Sequence, residues 1–171
     1  AHNGVCLTVT AIHDDLVTFD LMQETLRVTN LGALERGDRV NFEIDPQSHA
    51  VVEGNGRSGH MVSTSKVIEV FRSDNNHQIR FLLPEEFSRY LFAKGYIGVD
   101  GISLTIGRVS GAEFDVNLIP ETLARTNIGG RRPGDRVNIE IDPQTQAIVE
   151  TVERLLQSRG LIPLASEATD T

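Results

Sequence analysis

Two side chains here are of types that could carry covalent or proton-transfer chemistry. Cys6, inside Asn3-Gly-Val-Cys-Leu-Thr-Val9, is the only cysteine of 171 residues. As a thiolate it could add to an electrophile or relay a proton. As an ordinary strand residue it would be a small buried hydrophobe. His60 follows Ser58-Gly59, and an imidazole titrating near neutrality suits proton shuttling. Its plain alternative is a loop histidine. His2, His13, His49 and His77 fall in turns or unsupported contexts and read as solvated. One cysteine permits no internal disulfide and excludes a metal site built on several thiolates.

The stretch around Cys6 is written twice. It returns as Asp100-Gly-Ile-Ser-Leu-Thr-Ile106, and the offset of 97 then holds without a gap. Glu24-Thr-Leu matches Glu121-Thr-Leu, Thr29-Asn30 matches Thr126-Asn127, and Gly37-Asp-Arg-Val-Asn41 matches Gly134-Asp-Arg-Val-Asn138. Residues 1–53 laid over 98–150 give 23 identities. This is an internal duplication. Ser103 stands where the first copy has Cys6, so the backbone does not require a thiol there, and the copies differ chemically.

The elements that must position these groups are mostly strands. Residues 4–10 and Leu16–Leu21 read as a hairpin about His13-Asp-Asp15, and Asp38–Ile44 alternates with the period of a half-buried strand. Gln23–Thr29 reads as a short helix, and Asp45-Pro46 as the start of another. Residues 54–59 form a glycine-rich linker. Met61–Phe71, Gln78–Leu83, Ile102–Val109, Phe114–Leu118 and Arg136–Ile141 read as strands; Pro84–Phe92 and Pro120–Thr126 read as short helices. Asp142-Pro143 opens the last helix. Its stripe of Ile148, Val149, Val152, Leu155 and Leu156 either packs on its own domain or makes an oligomer contact. The tail from Leu161 lacks periodicity.

The expected fold is therefore mostly β: six-stranded barrels with short helices, one complete barrel plus a half barrel, and a C-terminal helix. The expected divisions are a half barrel at 1–53, the linker at 54–59, a complete barrel at 60–141, a helix at 142–158 and a tail at 159–171. A formal charge of −8 argues against a nucleic-acid partner. With no signal peptide and no long apolar run, no membrane is expected and a cytoplasmic location follows by default.

The motifs NGVCLTV (3–9), ETLRVTNLG (24–32), GDRVN (37–41), SGH (58–60), KGYIGVDGISLTI (94–106), IPETLARTNIG (119–129) and VNIEID (137–142) resemble, in order and spacing, those of riboflavin synthase. That resemblance implies two similar barrels and a C-terminal helix, a trimer held largely by such helices, and an active site shared between barrels of neighbouring subunits. It implies dismutation of two molecules of 6,7-dimethyl-8-ribityllumazine into riboflavin and a ribitylamino-pyrimidinedione, with no cofactor because the substrate ring is itself an electron sink. Cys6 and His60 become the catalytic candidates. Thr8, Met22, Thr25, Lys94, Ser103, Thr105, Ile119, Thr122 and Asp142 become substrate-binding candidates. Threonine is otherwise simply a good strand former. Thr25 and Thr122 could equally cap their helices, and Asp142 could be a plain N-cap.

The resemblance has two breaks. The family's Met-Phe-Thr-Gly segment has no counterpart in this sequence, so residues 1–53 are expected to be the second half of a barrel only. Residues 44–57 nearly copy the chain's own 141–150, which suggests recombination or engineering. The half barrel is expected to leave an apolar face that pairs with another chain, giving a dimer, or that exchanges with residues 98–150. Two further functional readings follow: a lumazine- or flavin-binding module without chemistry, and an engineered half-barrel assembly without activity.

Overall fold

The computed structural model describes residues 1–43 and 63–163. Six strands alternate apolar and polar residues with period two and close into a barrel. They are β3 (Ser63–Ser73), β4 (Asn76–Leu82), β5 (Tyr96–Val99), β6 (Ile102–Ser110), β7 (Glu113–Leu118) and β8 (Arg136–Ile141), after the hairpin strands β1 (Val9–His13) and β2 (Leu16–Phe19). The barrel order is β3-β4-β7-β6-β5-β8, every pair antiparallel, with β8 returning to β3. Closure leaves no unpaired edge. Inward positions are filled by Val67, Ile79, Phe81, Ile106, Phe114, Val116, Val137 and Ile139, all essentially inaccessible. Phe81 stacks on Phe114 with ring centroids 5.1 Å apart.

A bulge interrupts the wall in β6. Its register against β7 shifts between Ile106 and Val109. The Asp115 carboxylate accepts from the Arg108 N–H at 3.0 Å within this bulge. Gly107 makes room for it: a Cβ there would stand 2.2 Å from Asp115 Oδ1. Pro84 is followed not by an α-helix but by a 3-10 turn, Glu85–Tyr90.

The first copy is built from the same local pieces but is not a barrel. β1 and β2 form a two-stranded sheet. Helix α1 (Gln23–Val28) and a 3-10 turn (Asn30–Ala33) follow. Two expected strands differ. Val5 bridges to His2, but residues 6–8 lack the antiparallel neighbour that Tyr96–Gly98 gives to Ser103–Thr105, so the strand expected over 4–10 begins only at Val9. Of residues 38–43, Phe42 alone makes a bridge, to His2, whereas the equivalent β8 is held on both sides by β3 and β5. Alternation alone cannot make a strand without partners. In this structure the barrel closes wholly within residues 63–141, without a strand from residues 1–43.

His2 is not solvated as expected. It is half-buried, edge-on to Phe19 and Phe42 at 4.4 and 5.1 Å. His77 too is half-buried, beside Arg72.

Helix α2 spans Pro120–Arg125 and α3 spans Pro143–Ser158. Asp142 caps α3 by accepting from the N–H and hydroxyl of Thr145, both at 2.8 Å. Gly160, at φ 67°, ends it. Tyr90 anchors α3 to the barrel by donating its hydroxyl to Glu150 at 3.1 Å, while Arg89 pairs with Glu153 at 3.6 Å. The apolar stripe divides. Val149 packs against the core, whereas Ile148, Val152 and Leu155 are exposed. The junction at 44–57, the expected helix at Asp45-Pro46 and the linker lie outside the described residues.

Candidate functional site

Positions 6 and 8 of the first copy and 103 and 105 of the second all face outward. Cys6 is an exposed free thiol, and Thr8, Ser103 and Thr105 are exposed. The reading of Cys6 as a small buried hydrophobe is therefore overturned. The equivalent positions behave alike. β1–β2 pairing begins at Val9 against Phe19, three residues from both Cys6 and Met22. β6–β7 pairing reaches Ile106 against Val116, three residues from both Ser103 and Ile119. Met22 and Ile119 are 76% and 61% exposed. Each copy thus exposes one small nucleophile or hydroxyl, one threonine and one large apolar side chain at equivalent positions.

In the second copy this surface has more walls. Tyr96 lies across from Thr105 and is 52% exposed, and Gly98 lies across from Ser103, leaving its hydroxyl uncovered. Lys94 is exposed in the turn before β5, at φ 70°, with its N–H donating to the Ile106 carbonyl at 2.9 Å. Tyr96 was not among the residues singled out by sequence. The signal was its place beside Lys94 in KGYIGVDGISLTI.

Thr25 and Thr122 do not cap their helices. The N-cap positions are Met22 and Ile119, with no side-chain cap bond in either case. Both threonines are half-buried, and each carbonyl accepts the hydroxyl of the threonine four residues on, Thr29 or Thr126, at 2.6 Å. This ties each helix into the turn that follows it. Asp142 is the cap described above. His60 lies outside the described residues.

A polar seam, also missed by sequence, joins the copies. Asn3 and Asp100 both adopt positive φ, 45° and 46°, each ahead of a glycine. The Asn3 N–H donates to the Asn41 carbonyl and the Asp100 N–H to that of Asn138, both at 2.9 Å. Across the seam, Asn41 Nδ2 donates to the Asp100 carbonyl at 2.9 Å, and Asn138 Nδ2 to the Asn3 carbonyl at 3.0 Å. The Asn30 N–H donates to Asn138 Oδ1 at 2.7 Å, and the Asn127 N–H to Asn41 Oδ1 at 2.9 Å. These six bonds fall into three pairs of mates, as a local twofold axis requires. A Cβ on Gly101 would stand 2.8 Å from the Gly4 nitrogen. The signal lay in the repeated asparagines, which the duplication displayed without saying where they meet.

Asp100 is fully buried and paired with Arg131 at 2.6 Å. Burial pushes its carboxyl up, against the downward pull of Arg131, the Asn138 N–H and the Asn30 amide.

The lumazine binding domain family matches residues 1–45 and 58–142. Riboflavin synthase from Escherichia coli (strain K12) is 53% identical over 160 residues, covering 93% of this chain and 75% of that protein. The chain belongs to the riboflavin synthase family. The riboflavin synthase of Chlamydia pneumoniae is 43% identical over 160 residues, covering 94% of this chain and 78% of that one. Among solved structures, LumP complexed with 6,7-dimethyl-8-(1'-D-ribityl) lumazine is similar at a TM-score of 0.73 and 25% identity, covering 82% of this chain and 75% of that one. LumP complexed with riboflavin is similar at a TM-score of 0.74, with 26% identity and coverage of 82% and 76%. The mostly β riboflavin-synthase fold implied by the motifs is thus the fold observed. Among the described residues, no helix is long and apolar enough to cross a membrane.

Proposed function

We propose that this member of the riboflavin synthase family dismutates two 6,7-dimethyl-8-ribityllumazine molecules, one held on the outward surface of each copy. A four-carbon unit passes from one to the other, giving riboflavin and a ribitylamino-pyrimidinedione. The observation that carries this reading is the twice-repeated exposure of Cys6, Thr8 and Met22 in one copy and Ser103, Thr105 and Ile119 in the other. Thr25, Thr122, Lys94 and Asp142 are proposed as further substrate contacts, and Tyr96 as an aromatic wall. Holding two rings face to face could lower the barrier by roughly 7–11 kcal/mol in well-oriented cases. Cys6 is suited to adding to the acceptor ring or relaying a proton, because its thiol is exposed. His60 is proposed as a second proton shuttle.

The two surfaces would meet between subunits rather than within one chain. The exposed stripe Ile148, Val152 and Leu155 on α3 supports a homo-oligomer. The test is incubation with the lumazine while watching for riboflavin absorbance. Turnover is the expected result, and tight binding without turnover overturns it. That second outcome is the alternative reading, a lumazine- or flavin-binding module. It is favoured by the likeness to LumP complexed with lumazine, riboflavin and flavin mononucleotide, and by the openness of the first copy.

A further inference from the structure

The seam between the copies departs from twofold symmetry at one position, and the departure has a chemical consequence. In the first copy, Asn3 Nδ2 donates to Asn30 Oδ1 at 3.3 Å. The mate of that bond would run from residue 100 to Asn127 Oδ1. The Asp100 side chain has no N–H to give. Asn127 Oδ1 is buried without a hydrogen-bond partner. The spare Asp100 oxygen takes Arg131 instead, and the position equivalent to Arg131 in the first copy is Leu34. Asn30 lies across the axis and donates to Asp100 Oδ1 at 2.8 Å while accepting from both Asn3 and Asn138. The seam as found sets a carboxamide on one side against a carboxylate with its arginine on the other.

We infer that the barrel face bearing Asp100, Asn127 and Asn138 is a recognition surface selective for a carboxamide-bearing copy such as residues 1–43, and that it rejects a second copy of itself. Two barrel faces brought together about the same axis would set two carboxylates side by side in a buried seam. Like charges in a dry interface are a strong means of excluding a wrong partner. Geometry alone would not exclude it, because the backbone bonds of the seam are the same from either side. The Asn-to-Asp difference thus decides which half docks on which. This holds whether or not the chain turns over lumazine.

The test uses the full chain, with amide hydrogen exchange read residue by residue. Asn3→Asp makes the first copy a mimic of the second at the axis. Exchange at the Asn30, Asn41 and Asn127 amides, whose N–H groups all donate in the seam, should speed up by about tenfold or more. The mirrored set Asn3→Asp, Leu34→Arg, Asp100→Asn and Arg131→Leu moves the carboxylate and its arginine to the other side. It should return those amides to within about threefold of the parent. Unchanged exchange in Asn3→Asp overturns the inference. So does a mirrored set as open as the single variant, since that would mean any added charge disrupts the seam regardless of its partner. Amides of β4 and β7 report separately on the barrel.

Discussion

The two copies carry nearly the same local sequence signals and reach different structures. Val17 is 41% exposed, and Phe114, at the equivalent position, is 1% exposed. Phe42 is 55% exposed, and its mate Ile139 is wholly buried. His2 even stands where the second copy has the core residue Val99. In the second copy, strands β3, β4 and β5 supply the ladder partners and the opposing apolar side chains. Among the described residues, nothing supplies them to the first. What the copies keep in common is what is satisfied locally or across the seam: the short helix, the threonine tie, the turn at Asn3-Gly4 or Asp100-Gly101, and the outward surface. The barrel is a cooperative solution, and its motif is only one participant.

Core truncation should separate the copies most widely. Phe114→Ala removes a ring stacked inside a closed core and should cost about 3–5 kcal/mol in denaturant unfolding. Val17→Ala at the equivalent position should cost less than about 0.5 kcal/mol. Comparable losses would mean that the first copy has a core of its own. Gly101→Ala comes next. Its Cβ would meet backbone of the first copy, and its φ of 82° disfavours a side chain. We expect a loss of roughly 2 kcal/mol or more, with faster exchange at the seam amides. Gly111→Ala, also at positive φ but in open space, should cost only about 1 kcal/mol.

Cys6→Ser would make the first surface chemically like the second. If the proposed dismutation is correct, kcat should fall about tenfold or more while lumazine affinity stays within a few-fold. A wild-type kcat would remove Cys6 from the mechanism.

The smallest expected effect concerns His2. Burial first, and the nearby N-terminal ammonium second, hold its imidazole below the ordinary value. The docked first copy therefore binds fewer protons than the undocked one between the two values. Stability is fully present above the ordinary imidazole range and is lost as pH falls toward the depressed value. Exchange of first-copy amides should accelerate on mild acidification, while those of the barrel strands do not. His2→Val, which copies Val99, should abolish the difference.

Much of this was legible in sequence because it depends on nearest neighbours. Asp142-Pro143 announced a capped helix, and Asp142 caps it. The limits of β8 and the starts of the short helices α1 and α2 were readable for the same reason. Met22 could be matched with Ile119, and Cys6 with Ser103, once the offset of 97 was known. The failures are of another kind. Residues 6–8 and 38–43 have strand-like patterns, but a strand needs a partner supplied from elsewhere in the chain. Thr25 and Thr122 were offered as caps because threonine favours the N-cap, but both lie inside their helices.

The sequence by itself determined the duplication, the family and the period of most strands. All of these follow from spacing along one chain. Only the tertiary structure decided that one copy closes and the other docks, that Cys6 is exposed, and that repeated asparagines separated by about a hundred residues meet in one seam. The physical reason is that hydrogen-bond partners and buried area are properties of pairs, and no single segment contains both members.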